Sequence, residues 1–231
     1  MTVEDAIPRI RGVLNVPFGK LLKELPLDLR LAKGRSGYVL EELLGLPPGN
    51  RENDFENGEL KTNKSDSHGK PLETIYIMQI ASIIDELICE NPAPFAQTKL
   101  YLKIRNLVIV PVVKEGDERS WYYREIFHLR SDPGSLLFKA LEEDYKVICA
   151  KLRHQVLKGK DGFIHTSNGL YLQVRTKDAE PYRAIKSRML NRAVSNKNHA
   201  FYFKKTLAHD IRMGNFGLSA VRYYAVGDLG T

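Results

Sequence analysis

The pattern of apolar and polar positions predicts both helices and strands. Apolar residues recur every three to four positions over 36–44 and 135–157, which indicates amphipathic helices, and Gly45 ends the first of them. Alternating or continuous apolar runs predict strands over 58–62, 74–80, 100–113, 121–129, 170–175 and 199–203. Two more helices are predicted, over 182–194 and 204–213.

These elements do not alternate strictly between strand and helix. We therefore expect a mixed α/β (α+β) fold, with a central mixed sheet flanked by helices, rather than a doubly wound parallel sheet. Pro47-Pro48-Gly49-Asn50 marks a loop, and the strands over 58–62 and 74–80 that follow it form a plausible antiparallel pair. No repeat or long linker divides the 231 residues, which indicates a single domain.

Composition narrows the class of protein. The hydrophobic content of 43% and the mean hydropathy of −0.32 are typical of a soluble globular protein. No apolar run approaches the length of a membrane span, and the first 20 residues lack a signal core, so we expect a cytoplasmic protein without a membrane partner. The six histidines are scattered, and no Cys/His cluster has zinc-ligand spacing.

Charge is unevenly distributed along the chain. The net charge is +7. Residues 151–231 contain 15 Lys/Arg and five Asp/Glu, whereas residues 1–150 contain 20 Lys/Arg and 23 Asp/Glu. A basic part of this kind suggests a polyanionic partner, with a merely solvated basic surface as the alternative.

The segment Asp54-Phe-Glu-Asn-Gly-Glu59-Leu-Lys61 carries candidate chemistry. On a strand, Glu59 and Lys61 project from one face while Leu60 enters the core, and Asp54 meets Glu59 from the preceding turn. Mg²⁺ prefers one or two protein carboxylates, with water and phosphate in its other positions. Lys61 would orient the attacking water or stabilise charge on the phosphate. The segment therefore indicates a magnesium-dependent phosphodiesterase site, with an exposed charged strand as the alternative.

Three separated blocks carry a family resemblance. They are Lys33-Gly-Arg-Ser-Gly-Tyr-Val-Leu-Glu41-Glu-Leu-Leu-Gly45; Asp54-Phe…Gly58-Glu-Leu-Lys-Thr62 with Asp66-Ser-His-Gly-Lys-Pro-Leu-Glu-Thr74; and Gly169-Leu-Tyr-Leu-Gln-Val-Arg-Thr-Lys177 with Ala200-Phe-Tyr-Phe-Lys-Lys205. In order and spacing, the blocks resemble the MutH-type mismatch-repair nicking endonucleases and the related restriction enzymes that cut at GATC. These enzymes belong to the PD-(D/E)xK nuclease superfamily, so the resemblance implies a restriction-endonuclease-like core.

The resemblance implies a set of catalytic residues: Glu41, Asp54, Glu59, Lys61 and Lys103. Asp54 and Glu59 would be the ligands of Mg²⁺, with Mn²⁺ as a substitute. Glu41 matches an additional family acid, with a helix surface charge as its alternative. Lys103 matches a second active-site lysine, and Arg105 is a rival for that position.

The resemblance also implies a set of DNA-binding residues: Arg175, Thr176, Lys177, Tyr202, Lys204 and Lys205. Arg175 would bind guanine through O6 and N7, or alternatively contact a phosphate. Tyr202 matches a tyrosine near the adenine of the site, with an ordinary strand aromatic as its alternative. Lys204 and Lys205 would bind phosphate. Basic residues on the helix predicted over 182–194 would contact the DNA backbone or form a solvated face.

Two departures from the repair enzymes bear on function. The interval from Asp54 to Glu59 is shorter, so the bend into the strand must differ. Arg175 is followed by Thr176, where the repair enzymes have proline. These departures favour a restriction role over a repair role.

The leading hypothesis is a magnesium-dependent, sequence-specific double-strand DNA endonuclease of type II restriction kind. It would recognise GATC or a related short palindrome and leave 5′-phosphates. Two alternatives stay open: a methyl-directed repair nickase that needs a mismatch-repair partner, and a catalytically inactive DNA-binding module. We expect a catalytic lobe over about 1–150, a basic DNA-recognition lobe over about 151–231 and, from the symmetry of a palindrome, a homodimer on double-stranded DNA.

Overall fold

The computed structural model describes residues 1–24, 35–46, 53–177 and 182–227. Its helices are α1 (Val3–Val13), α2 (Phe18–Leu21), α3 (Arg35–Leu43), α4 (Ile84–Ile88), α5 (Lys99–Ile104), α6 (Leu136–Lys158) and α7 (Lys205–Arg212). Its strands are β1 (Glu59–Ser65), β2 (Ile75–Gln79), β3 (Asn106–Val113), β4 (Tyr122–Tyr123), β5 (Ile126–Arg130), β6 (Ser167–Asn168), β7 (Leu172–Thr176), β8 (Ile185–Ser187), β9 (Arg192–Ser195), β10 (His199–Phe203) and β11 (Ala220–Tyr223). None of the described helices is long and apolar enough to cross a membrane.

The described residues form two compact units that interleave along the chain. The first unit contains Met1–Glu73, Lys103–Ser131 and Ala208–Thr231, and the second contains Thr74–Leu102 and Asp132–Leu207. The lobe boundary expected near residue 150 falls inside α6, which belongs wholly to the second unit. The reason is that α6 packs against α4 and β7 of that unit. The boundary near residue 150 followed the distribution of charge along the chain, whereas the compact units follow packing.

A mixed sheet forms the centre of the first unit. Its strand order is β1-β3-β5-β11, and β4 also pairs with β3. The β1–β3 pair is parallel and the other pairs are antiparallel. Leu60 of β1 and Val108 and Val110 of β3 are buried in a core that α1 and α3 complete. This arrangement confirms the predicted mixed α/β fold with a central mixed sheet and flanking helices.

The second unit contains an antiparallel sheet in the order β2-β10-β7-β6 and a separate β8–β9 hairpin. One face of this sheet is apolar, because Leu172, Val174, Phe201 and Phe203 are almost completely buried. Side chains alternate along a strand, so the residues that alternate with these four project from the opposite face of the sheet.

The two helices predicted from 3.6-residue periodicity are confirmed. The first runs over Arg35–Leu43, and Gly45 follows it with a φ of +67°, the left-handed conformation that ends many helices. The second runs over Leu136–Lys158, and the Ser135 hydroxyl accepts a hydrogen bond from the Phe138 N–H at its start. The loop predicted at 47–50 lies outside the described residues.

The antiparallel pair predicted from 58–62 and 74–80 is wrong. Both segments are strands, but β1 pairs in parallel with β3, and β2 pairs with β10 in the other sheet. Short sequence separation favours a hairpin, yet β3 is the most apolar strand of the first unit and burial places it beside β1.

The continuous strand predicted over 100–113 is also wrong at its start. Residues Lys99–Ile104 form α5, and only Asn106–Val113 form a strand. The Thr98 hydroxyl accepts the Tyr101 N–H at 3.1 Å, which is a helix-capping contact. Thr98 was therefore the sequence signal for the start of this helix.

The basic helix predicted over 182–194 is a β-hairpin. Strands β8 and β9 flank a turn in which Asn191 has a φ of +49°. Ile185 and Ser187 are buried while Lys186 is exposed, and this is the two-residue alternation of a strand. Arg192 is exposed, and its guanidinium donates to the carbonyls of Val156 and Gly162.

The turn that leads into β1 is held by α1 and β3. Asn57 accepts the Val3 N–H and donates to the Glu4 carboxylate, each at 2.8 Å, while the Asn106 amide donates to the Asn57 carbonyl at 2.8 Å. A Cβ atom on Gly58 would lie 2.6 Å from the Asn106 carbonyl oxygen and 2.7 Å from Val3 Cγ2. The turn therefore needs glycine because neighbouring atoms approach its backbone closely.

Gly58→Ala is predicted to destabilise the protein by about 1–3 kcal/mol, because the added methyl group must displace backbone as well as a side chain. The measurement is the free energy of unfolding from urea denaturation. Gly12→Ala is the matched control: it lies in α1, and an added Cβ there meets nothing within 4 Å. It should stabilise the protein by about 0.5–1 kcal/mol, since alanine is the better helix residue. Equal effects of the two substitutions would contradict the close approach at Gly58.

Candidate active site

Asp54, Glu59 and Lys61 converge at the start of β1 in the first unit. Lys61 Nζ makes a short contact with Glu59 Oε1 and lies 3.9 Å from Asp54 Oδ2. The Asp54 carboxylate accepts the Leu60 N–H at 2.9 Å, which fixes its position beside the strand. Glu59 is only 2% exposed, so the alternative of an exposed charged strand does not describe this segment. The predicted alternation, with Leu60 in the core, is present.

Lys103 joins this group from the last turn of α5. Its Nζ lies 2.8 Å from Glu59 Oε2, so each oxygen of Glu59 contacts one ammonium group. Arg105, the rival for this position, is exposed, and its carbonyl accepts the Ser131 N–H. The structure therefore places Lys103, and not Arg105, beside the carboxylates.

Glu41 faces the same group from α3. Burial raises the pKa of its carboxyl above the ordinary value, and the negative charges of Asp54 and Glu59 raise it further, while Lys61 opposes the shift. The helix is tied to β1 nearby, since Ser36 Oγ lies 3.4 Å from Thr62 Oγ1 and the Ser36 carbonyl accepts the Tyr123 hydroxyl at 2.6 Å. All five residues of the predicted catalytic set thus lie in one part of the first unit.

The donors fit a hard divalent cation that keeps much of its water. Asp54 and Glu59 provide carboxylate oxygens side by side, which is the chemistry Mg²⁺ prefers. Within the described ranges, no three His, Cys, Asp or Glu side chains are close enough to form a complete metal cage. A cation here would therefore take its remaining ligands from water and a phosphate, as Mg²⁺ commonly does.

In the second unit, four residues form what we call the cation–aromatic face: Tyr76, Arg175, Lys177 and Tyr202. The Arg175 guanidinium lies 4.4 Å from the centre of the Tyr202 ring, and Lys177 Nζ lies 4.5 Å from that of Tyr76. The two rings pack edge to face at 5.7 Å. Because Arg175 also donates to the Thr74 hydroxyl at 3.2 Å, its guanidinium is held in a defined orientation.

The register of the second sheet explains this grouping. Tyr202 of β10 lies opposite Tyr76 of β2 on one side and Gln173 of β7 on the other. Arg175 is two residues beyond Gln173 and therefore projects from the same face, away from the apolar side of the sheet. Arg175 is exposed, Lys177 is half-buried and Tyr202 is 8% exposed.

The other predicted DNA-binding residues have different surroundings. Lys204 Nζ donates to the Gly169 carbonyl at 3.0 Å, so it braces the segment before β7, whereas Lys205 is exposed at the start of α7. Thr176 ends β7 opposite His199. Phosphate binding by Lys204 and Lys205 stays a prediction, and Lys205 is the better placed of the two.

Comparison with known proteins identifies relatives. No family model matches the chain. A DNA mismatch repair protein MutH of Haemophilus influenzae is 36% identical over 83 residues, which are 33% of this chain and 37% of that protein. MutH of Shewanella amazonensis is 26% identical over 88% of this chain and 90% of its own length. MutH of Yersinia enterocolitica is 29% identical over 79% of this chain and 78% of its own length. The chain is MutH-like.

The alignments differ in how much of each chain they cover. The match to the Haemophilus protein covers little more than a third of that relative's length, whereas the Shewanella and Yersinia alignments cover most of both chains. A solved complex of the restriction endonuclease MvaI with cognate DNA covers 97% of both chains, but its TM-score is 0.39 at 11% identity. That similarity is too low to support an argument about the fold.

Sequence reasoning missed two residues of this MutH-like chain. Tyr76 stands between Ile75 and Ile77, which are both buried, so alternation already placed it on the opposite face of its strand. Asp144 is 5% exposed inside α6 and accepts the N–H groups of Leu170, Tyr171 and Leu172 at 2.6–2.7 Å. An acid on the apolar stripe of a helix was the signal, and Asp144 fixes the start of β7.

Proposed function

We propose that this MutH-like chain is a magnesium-dependent, sequence-specific endonuclease that cuts double-stranded DNA at GATC or a related short palindrome. The observation that carries the proposal is the group of Asp54, Glu59, Lys61 and Lys103, in which a buried carboxylate contacts two ammonium groups. Partly buried charges of both signs at one point are costly unless they serve chemistry or pair closely.

Asp54 and Glu59 would hold the cation. Bound Mg²⁺ would lower the pKa of a coordinated water and neutralise charge that develops on the phosphate. Mn²⁺ accepts the same oxygen ligands and is expected to substitute. Glu41, whose pKa is raised by burial and then by its carboxylate neighbours, would face the cation from the α3 side of the site.

The two lysines have distinct positions. Lys61 lies between Asp54 and Glu59 and is placed to orient the attacking water or to contact the phosphate. Lys103 holds the other oxygen of Glu59 and fixes the carboxylate plane. Water attacks phosphorus in line and the bond to the 3′ oxygen breaks, so the products carry 5′-phosphate and 3′-hydroxyl ends.

Sequence recognition is assigned to the cation–aromatic face. Stacking on Tyr202 and the contact with Thr74 hold the Arg175 guanidinium in a defined plane, which suits paired hydrogen bonds to guanine O6 and N7. Tyr202 would lie near the adenine of the site. The net charge of +7 favours binding to the DNA backbone.

The restriction role is proposed because the Asp54–Glu59 turn and the Arg175-Thr176 sequence depart from the repair pattern. The second candidate is a mismatch-repair nickase, which the names of the relatives favour. It would nick hemimethylated DNA and act slowly without a repair partner. The presence of both carboxylates and both lysines disfavours an inactive DNA-binding module. A homodimer on DNA is proposed from the symmetry of a palindrome.

Glu59→Gln is predicted to reduce cleavage by at least about 100-fold, the order expected when a charged contact to the transition state is lost. The measurement is cleavage, in Mg²⁺, of a plasmid with GATC sites that are unmethylated, hemimethylated or fully methylated. Binding to the same DNA should be retained or strengthened, because a negative charge facing phosphate is removed. Glu42→Gln, on the exposed side of α3, is the control and should cut normally.

The cleavage products distinguish the candidates. Linear fragments that map to GATC support the restriction role, and slow nicking of hemimethylated plasmid supports the repair role. Fragments that map to other sequences would support endonuclease activity but reject GATC as the recognition sequence. Binding without cleavage in either Mg²⁺ or Mn²⁺ would reject the endonuclease proposal in favour of the inactive module.

Arg175→Ala is predicted to lose about 1–3 kcal/mol of discrimination at a guanine of the site. The measurement is the dissociation constant for a GATC duplex and for duplexes with that guanine replaced, at several salt concentrations. Arg183→Ala, an exposed arginine of the same unit, is the matched control. It should weaken all duplexes equally, if at all. A uniform loss for Arg175→Ala would instead make Arg175 a phosphate contact.

A further inference from the structure

A second charged cluster lies in the first unit, around Glu125. This carboxylate is completely buried immediately before β5. Arg124 Nη1 contacts its Oε1 at 2.6 Å, and Arg222 contacts its Oε2 through Nε at 2.5 Å and through Nη2. Arg212 Nε lies 3.8 Å from Oε1. Three guanidinium groups therefore surround one carboxylate.

Among the residues that the structure describes, the charges of this cluster do not balance. One carboxylate neutralises one guanidinium, so the three arginines and Glu125 carry a net charge of +2. Arg212 Nε is buried and has no hydrogen-bond partner among the residues that the structure describes. A buried donor without an acceptor is unfavourable, because it has lost its hydrogen bond to water. An anion at this point would supply both the missing charge and the missing acceptor.

The guanidinium groups are already held in place. Arg124 donates to the Ser67 carbonyl at 3.2 Å and Arg212 to the His68 carbonyl at 2.6 Å. Both approach Gly69, where a Cβ atom would lie 2.5 Å from Arg124 Nη1 and 3.0 Å from Arg212 Nη2. Gly69, with a φ of +81°, therefore leaves room for both groups. Donors that are ordered before binding lose less entropy when a ligand arrives.

A cavity adjoins the cluster. Its volume is about 180 Å³, and its walls are Asn15, Tyr122, Arg124, Glu125 and Tyr224, so Arg124 is the arginine of the cluster that lines it. Arg222 lies over the ring of Tyr224 at 4.7 Å and so packs against one wall of the cavity. The space is larger than a phosphate group needs, and the nearby donors are the type that binds phosphate in a paired geometry.

This cluster is separate from the candidate active site. The Arg124 N–H donates to the Pro111 carbonyl, and Pro111 lies opposite Asn63 of β1, four residues beyond Glu59. At about 3.3 Å per residue, the backbone positions of Glu59 and Asn63 are about 13 Å apart along the strand.

We propose that Arg124, Arg212 and Arg222, oriented by Glu125, form a phosphate-binding site at the far end of the first sheet. The ligand is a phosphate group, carried either by the DNA backbone or by a free phosphate-containing molecule. The proposal does not depend on the endonuclease activity, because it rests on a different set of residues.

The test is a titration of the full chain with inorganic phosphate at constant ionic strength. Trp121 is the only tryptophan and precedes Tyr122 of the cavity wall, so its fluorescence reports on the site, and thermal stabilisation gives a second readout. Saturable binding is expected, and Arg212→Gln should weaken it at least 10-fold. This variant leaves Arg124 and Arg222 paired with Glu125. Arg9→Gln, which removes an exposed arginine of α1, is the matched control and should bind as the wild type does.

A second variant keeps the test independent of the stability of Arg212→Gln. Asn15 lines the cavity with a φ of +59°, a conformation that glycine adopts without strain, so Asn15→Gly should fold and also weaken phosphate binding. Absence of saturable binding by the wild type, or equal weakening by Arg9→Gln, would overturn the proposal.

Binding of DNA distinguishes the two sources of phosphate. If the site holds the DNA backbone, Arg212→Gln lowers the slope of log binding constant against log salt by about one, and phosphate competes with duplex. If the slope is unchanged while phosphate still binds the wild type, the ligand is a free phosphate-containing molecule. Both results support the site and differ only in what occupies it.

Discussion

The candidate site depends on one electrostatic constraint: opposite charges must be held together where water is largely excluded. Glu59 is almost completely buried, and each of its oxygens contacts an ammonium group, from Lys61 and from Lys103. Removal of either partner would leave part of a buried charge uncompensated, which is strongly unfavourable. The segments that carry these residues are therefore bound to fixed positions.

The first unit supplies those positions through strand pairing and one tight turn. The parallel β1–β3 pair sets Glu59 opposite Leu107, immediately after the helix that carries Lys103. Asn57 and Gly58 allow the chain to turn sharply between Asp54 and Glu59 against α1. The short interval between the two carboxylates thus has a structural explanation, because the turn is supported by contacts outside the site.

Local pattern predicted much of this arrangement. Alternation along 58–62 placed Leu60 in the core and Glu59 with Lys61 on the other face. Glu41 and Lys103 were implied by the family resemblance and not by the local pattern. Pairing between distant segments could not be predicted in the same way, so β2 was assigned to the wrong partner. The hairpin at β8–β9 was mistaken for a helix because its closely spaced basic residues fit both the 3.6-residue period of a helix and the two-residue period of a strand. Tyr76 was overlooked because its role depends on Tyr202, which is 126 residues away and meets it only through the β2–β10 register.

Binding of a divalent cation is the direct test of Asp54 and Glu59 as metal ligands. Mn²⁺ binding to the wild type can be measured by electron paramagnetic resonance, with Mg²⁺ as competitor, beside Asp54→Asn and the exposed-site control Glu42→Gln. We expect the wild type and Glu42→Gln to bind one Mn²⁺ that Mg²⁺ displaces, and we expect Asp54→Asn to weaken this binding at least about 10-fold. Unchanged Mn²⁺ binding by Asp54→Asn would contradict the assignment of these carboxylates as the metal site.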